Sequence, residues 1–180
     1  MRLLLLTALA MTGCSGGLAT ITIEVEDTVT VEGGGLLSEL VGTLGFDGFT
    51  QMNLIDAQEL QNQGVSPGDI QEVFLSELTL SALSPDGADL SFIESLDVYV
   101  EAPDLPQVLV ATQDSFPDGQ DVVTFDLLGV DLTEYVVSES MTLTTDVTGN
   151  QPEDDTQVKA YVAIDVRVTA QGVINQTRKD

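Results

Sequence analysis

Val158-Lys159-Ala160-Tyr161-Val162-Ala163-Ile164-Asp165-Val166-Arg167-Val168-Thr169-Ala170 is the longest patterned run in the chain. Its even-numbered residues are all small or apolar, and Lys159, Asp165, Arg167 and Thr169 stand among the odd ones. Side chains alternate across an extended backbone, so this period of two predicts one strand with an even-numbered core face and an odd-numbered solvent face.

Shorter runs with the same period lie upstream. Phe74, Leu78, Leu80 and Ala82 share one parity, as do Leu96, Val98 and Val100, then Val123, Phe125 and Leu127, then Met141, Leu143 and Val147. Turn chemistry separates them at Ser84-Pro85-Asp86-Gly87, Phe116-Pro117-Asp118-Gly119 and Thr148-Gly149-Asn150, where Pro presets φ and Gly or Asn accepts a positive one. Asp131 to Tyr135 reads as one helical turn between strands. Near the N-terminus, Ile21, Ile23, Val25, Val29 and Val31 alternate with Thr and Glu, which fits a half-buried strand or a hairpin bent near Asp27-Thr28.

Two segments read differently. After Gly33-Gly34-Gly35, the residues Leu36, Leu37, Leu40, Val41 and Leu44 recur at helical spacing, so a short amphipathic helix is expected there. Asn53 to Gly64 suggests a second helix, with Asn53 accepting from an early amide and Gly64 as a left-handed cap. Six to eight short strands separated by turns, with one or two short helices in the N-terminal half, predict a mainly β fold. The expected architecture is an antiparallel two-sheet β-sandwich of immunoglobulin-like or jelly-roll type, formed as a single acidic domain over residues 19 to 180.

The first residues have another character. Met1-Arg2 precedes the apolar run Leu3 to Met11, too short for a permanent membrane span and shaped like a secretion signal. Met11-Thr12-Gly13-Cys14 resembles the lipobox of bacterial lipoproteins, with Met11 where Leu is commoner. The resemblance implies a signal peptide of residues 1 to 13 that is cleaved, lipidation of Cys14 through a thioether with a further acyl chain such as palmitate, and a tether of residues 14 to 18. It also implies a place in the bacterial cell envelope outside the cytoplasm, the outer membrane before the inner. Two or more buried acyl chains make such anchoring stable. With Cys14 used, no disulfide is available, because it is the chain's one cysteine. The globular part resembles envelope lipoproteins of β-sandwich type in general pattern, a likeness that brings no functional residues.

Composition excludes more than it assigns. Thirty acids stand against five bases, for a formal charge of −25, and beyond Arg2 the bases are Lys159, Arg167, Arg178 and Lys179. A phosphate backbone needs a basic surface, so no nucleic-acid partner is expected. The chain has no His and no Trp. A Ser-His-Asp triad, a His base and a His zinc site are therefore ruled out, and no catalytic residue is assigned. Paired carboxylates, the machinery of many glycosidases, are the remaining catalytic design. Hard oxygen ligands suit calcium, and Asp86, Asp89, Asp118, Asp121, Glu153, Asp154 and Asp155 fall in loops that a sandwich gathers at its ends. No Asp-x-Asp-x-Asp-Gly loop accompanies them, and Pro-Asp-Gly explains itself as a turn. The favoured reading is a membrane-anchored, non-catalytic binding or structural module with an envelope protein or glycan as partner. The alternative is a carboxylate-dependent, glycan-acting enzyme.

Overall fold

The run from Val158 organises the molecule. In the computed structural model, which describes residues 18–34, 39–42, 44–138 and 140–169, it belongs to the last strand, β9 (Thr156–Thr169). Val158, Ala160, Val162, Ile164, Val166 and Val168 are buried, and Arg167 is exposed. Ala170 and Cys14 lie outside the described residues.

On one side β9 pairs along its whole length with β1 (Leu18–Val31), antiparallel and without a register shift. The alternation near the N-terminus is thus one straight strand and not a hairpin. On the other side β9 pairs with β3 (Ile70–Ser84), again antiparallel. The remaining strands are β2 (Glu39–Gly42), β4 (Ile93–Ala102), β5 (Leu105–Gln113), β6 (Val122–Thr124), β7 (Asp126–Leu127) and β8 (Thr142–Asn150). They form two antiparallel sheets in the orders β1-β9-β3-β6 and β2-β8-β4-β5-β7. Strands consecutive in sequence mostly alternate between the sheets, and the first and last strands lie side by side. That is the strand order of a jelly roll, with β7 as a short addition. The core between the layers is apolar, with Leu78, Leu80, Leu96, Val98, Val100, Val147 and Ile164 among its buried residues.

One short segment changes layers. Val123 pairs with Leu80 in the first sheet, and Leu127 pairs with Ala111 in the second. Phe125 sits at the crossing, buried, with its amide donating to Leu78 O at 3.0 Å and its ring edge-on to Phe116. The parity shared by Val123, Phe125 and Leu127 is real, but it spans two sheets.

Four expectations are corrected. Residues 39–42 are a strand, not part of a helix: Glu39 to Gly42 pair with Asn150 to Val147. A helix there would carry Gly42 in its interior at a cost of about 1 kcal/mol, whereas the open edge of β8 satisfies the backbone of an extended segment directly. Leu36 and Leu37 lie outside the described residues. The second helix is broken into a 3-10 turn at Leu54–Asp56 and α1 (Gln58–Asn62), because Ala57 is extended at ψ 136°. Asn53 does not cap it; its Nδ2 donates to Asp56 Oδ2 at 2.8 Å. The C-terminal end follows expectation: Gly64 has φ 65°, its amide donates to Gln61 O, and the Val65 amide reaches Leu60 O, which is a Schellman motif. Thr148-Gly149-Asn150 is not a turn but the end of β8. A Cβ on Gly149 would stand 2.2 Å from Phe92 O, so glycine is what lets β8 press against the start of β4.

The fourth correction concerns β3. Its register against β9 shifts at three places, one of them between Leu75 and Glu77. Before that bulge Val73 and Leu75 face the core; after it Leu78 and Leu80 do. Phe74 is therefore on the outer face, with Arg167 lying 5.4 Å over its ring, although it shares parity with Leu78. The helical turn expected at Asp131–Tyr135 is present as α2 (Thr133–Val136).

Candidate functional site

The jelly-roll order brings the ends of β1, β3 and β5 and the starts of β4, β6 and β9 to one end of the sandwich. The loops 85–92 and 150–156 meet there around an open cleft of about 550 Å³. Asp86, Asp89, Glu153 and Asp154 line it, together with Ser91, Phe92, Asn150, Gln151 and Thr156. Asp86, Asp89 and Asp121 also line a smaller neighbouring cleft with Leu83 and Gly119. Asp118 occupies the turn before Gly119, whose φ is 75°. The seven acids singled out in the sequence therefore gather at one end of the molecule.

They do different things there. Asp89, half-buried, is a bracket: one oxygen accepts from the Ser91 amide and hydroxyl at 3.0 and 2.6 Å, and the other accepts from the Gly119 amide at 2.6 Å. The Leu90 amide adds a bond to Gln120 O. Asp155 Oδ1 accepts from the Gly33 amide at 2.9 Å and ties the end of β1 to the loop before β9. Glycine is needed at that contact, since a Cβ on Gly33 would stand 2.7 Å from the Asp154 carbonyl carbon. Asp86, Asp118, Asp121, Glu153 and Asp154 are exposed.

Among the described residues no three carboxylates converge closely enough to hold a metal ion. Asp89 spends both its oxygens, and Asp155 one, on hydrogen bonds that hold the loops together. Electrostatics bear on the catalytic alternative as well. The Ser91 hydroxyl and the Gly119 amide hold the Asp89 carboxyl below its ordinary range, against a smaller opposing effect of burial. A general acid needs the reverse shift. Asp131, away from this cleft, behaves alike: burial acts to raise it, and hydrogen bonds from the Thr133 hydroxyl, the Thr133 amide and the Val73 backbone together bring it down.

The sequence reading missed Ser91 and Thr133 as partners. Their signal was available, since Asp-x-Ser and Asp-x-Thr are the pattern in which a carboxylate accepts from the backbone two residues on. Phe92 and Asn150 carried no such signal. They meet because the Asn150 amide donates to Phe92 O at 2.7 Å, a contact between strands far apart in the chain.

No family model matches the sequence, and no curated protein matches it. Among solved structures, a chain from Desmodium yellow mottle tymovirus is similar over 91% of this chain and 95% of its own, with 9% sequence identity and a TM-score of 0.33. At that TM-score the likeness assigns nothing to this chain.

Proposed function

We propose that the chain is a lipid-anchored protein of the bacterial cell envelope whose sandwich is a non-catalytic binding module, with the loop cleft as its binding end. One observation carries the reading. The anchor residue, Cys14, lies four positions before β1, and β1 runs straight through 14 residues to the end where the cleft opens. At about 3.3 Å per residue that separates the two by roughly 45 Å. A lipid on Cys14 would thus hold the start of β1 at the membrane and present the cleft away from it.

The lining supplies carboxylates, backbone groups and one half-buried aromatic, with no cation, so the module suits a partner that presents positive or neutral groups and repels anionic ones. Mass spectrometry of the membrane fraction tests the anchor: a diacylglyceryl, acylated Cys14 is expected at the N-terminus, and Cys14→Ser should abolish it. An intact Met1, or a soluble product cut after Ala19, would overturn the anchored reading. Loss of envelope binding on replacing Asp86, Glu153 and Asp154 by Ala tests the cleft; unchanged binding would move the site elsewhere.

A further inference from the structure

The two sheets have four edges, and three of them are short: β6, β2 and β7 have 3, 4 and 2 residues. The fourth is β1, with 14. It pairs on one side only, with β9, in an unbroken register from Leu18 opposite Thr169 to Val31 opposite Thr156. In an antiparallel strand alternate residues direct both backbone groups to one neighbour and the rest direct them away. Every second residue of β1 therefore directs its N–H and C=O to the open side. At Asp27 that side is occupied: one carboxylate oxygen accepts from the Thr28 amide at 2.8 Å and the other from the Gly48 amide at 2.8 Å, which docks the 47–49 turn there. Over residues 18–26, among the described residues, no backbone group outside β9 bonds to the strand. Asp27, a charge on the inner face, and the turn bound to it guard the far part of the edge, whereas no proline, lysine or bulge interrupts residues 18–26.

The side chains specify what an added strand must carry. On the outer face Thr20, Thr22, Glu24, Glu26, Thr28 and Thr30 are exposed. Tyr161 donates to Glu24 at 2.8 Å and Lys159 pairs with Glu26 at 3.1 Å. Around them the face carries Glu72, Glu77 and Asp165, and its cations are Lys159 and Arg167, both already paired. On the inner face Ile23 and Val31 are buried, while Ile21, Val25 and Val29 pack against the core but stay half-buried; Val158, Ile164 and Val166 of the neighbouring strand are sealed. The apolar layer thus ends on side chains that a further strand would finish covering.

We propose that residues 18–26 of β1 are a docking edge for an extended segment of a partner protein that bears Lys or Arg on one face and β-branched apolar residues on the other, added to the sheet as a fifth strand. The ladder supplies the pairing, Glu24 and Glu26 select the basic face, and Ile21 and Val25 receive the apolar one. A second copy of this chain fits less well, since it would join two surfaces of the same sign, each from a chain of formal charge −25. The surface is distinct from the loop cleft and needs neither it nor the lipid.

The test is hydrogen exchange and titration on the full chain with two synthetic peptides, one alternating lysine and valine, the other of the same composition with lysines and valines in separate blocks. The alternating peptide should slow exchange at every second amide of residues 18–26, and the block peptide should not. Glu24→Gln with Glu26→Gln, at exposed positions where the amide can still accept from Tyr161, should weaken the alternating peptide by roughly fivefold, with β9 amides reporting an intact fold. Equal binding of the two peptides, unchanged affinity of the double variant, or protection confined to residues 85–92 and 150–156 would each overturn the proposal. Concentration-dependent protection of β1 without peptide would overturn it too, in favour of a second copy.

Discussion

β9 and β3 are neighbours of nearly equal length, 14 and 15 residues, in the same sheet, yet one is readable by parity and the other is not. β9 keeps one register with β1 throughout, so its six even-numbered residues from Val158 to Val168 all reach the core. β3 shifts register against β9 three times. At the central shift Ser76 and Glu77 are both exposed, the Ser76 hydroxyl donates to Ala163 O at 3.1 Å, and the core face passes from odd to even residues. A bulge adds one residue to one strand only, so it re-aims every side chain beyond it. The difference teaches that alternation reports burial only between bulges.

The strongest way to break the comparison is charge in the core of β9. Val162→Asp should unfold the domain, because an unpaired buried carboxylate costs several kcal/mol, on the order of the roughly 5–15 kcal/mol that holds a domain together. Gln157→Asp, exposed on the same strand, should cost under about 1 kcal/mol. Urea denaturation of the two variants gives the answer, and equal losses would refute the two-faced strand.

Within β3, Leu75→Ala and Leu78→Ala should each cost about 2–5 kcal/mol despite their opposite parity, since both side chains are buried. If only one of them is expensive, the bulge at Ser76 is not where the register places it.

The loop that follows β3 gives a smaller effect. Asp89→Asn should destabilise by about 1 kcal/mol at neutral pH through weaker hydrogen bonds to the Ser91 hydroxyl and the Gly119 amide. Because the folded pKa is lowered, the wild-type carboxylate contributes fully above its unfolded pKa and loses that contribution as pH falls through the folded one. Wild type and variant should therefore converge in stability on acidification, a point readable from midpoints across pH.

Smaller still is the contact that joins the two strands on their outer face. A double-mutant cycle between Phe74→Leu and Arg167→Gln should return a coupling of about 0.5–1 kcal/mol for the cation over the ring. Zero coupling would mean that Phe74 is placed by the bulge alone.

The outer face of β9 also carries a spectroscopic reporter, Tyr161. The hydrogen bond from Tyr161 to Glu24, with burial and the negative charge of Glu24, Glu77 and Glu26, raises the Tyr161 phenol to about 12. A raised phenol stabilises the fold fully below its unfolded pKa and loses that contribution as pH rises through about 12. Ultraviolet titration should show a tyrosinate step near 12 that Tyr161→Phe removes and Glu24→Gln moves back toward the ordinary range.

Much of the fold was legible because burial on one face of an unbroken strand writes itself into the sequence. Leu96, Val98 and Val100, Met141, Leu143 and Val147, and the even-numbered face of β9 were readable in this way, whereas the burial of the odd-numbered Ala163 was not. So were the punctuating residues: Gly64, Gly87 and Gly119 all take positive φ where turn or cap chemistry placed them. The acidic loops were readable as loops, and their meeting at one end of the sandwich followed from the sandwich itself. Which acids would be spent on backbone amides was only half legible, since Asp89 carries a local Asp-x-Ser signal and the bond from Gly33 to Asp155 spans most of the chain.

What the sequence by itself determined is local: strand parity, turn positions, an acidic surface, and the absence of histidine chemistry, each a property of neighbouring residues or of composition. Tertiary structure alone decided the rest. Residues 39–42 became a strand because β8 offered them an edge, Phe74 faced outward because of a register shift against β9, Phe125 crossed between sheets, and the first part of β1 was left as an open edge. The physical reason is common to all four. Backbone hydrogen bonds between strands are made with a partner remote in sequence, so the choice of partner and register is settled by the whole assembly of strands and cannot be read from either strand alone.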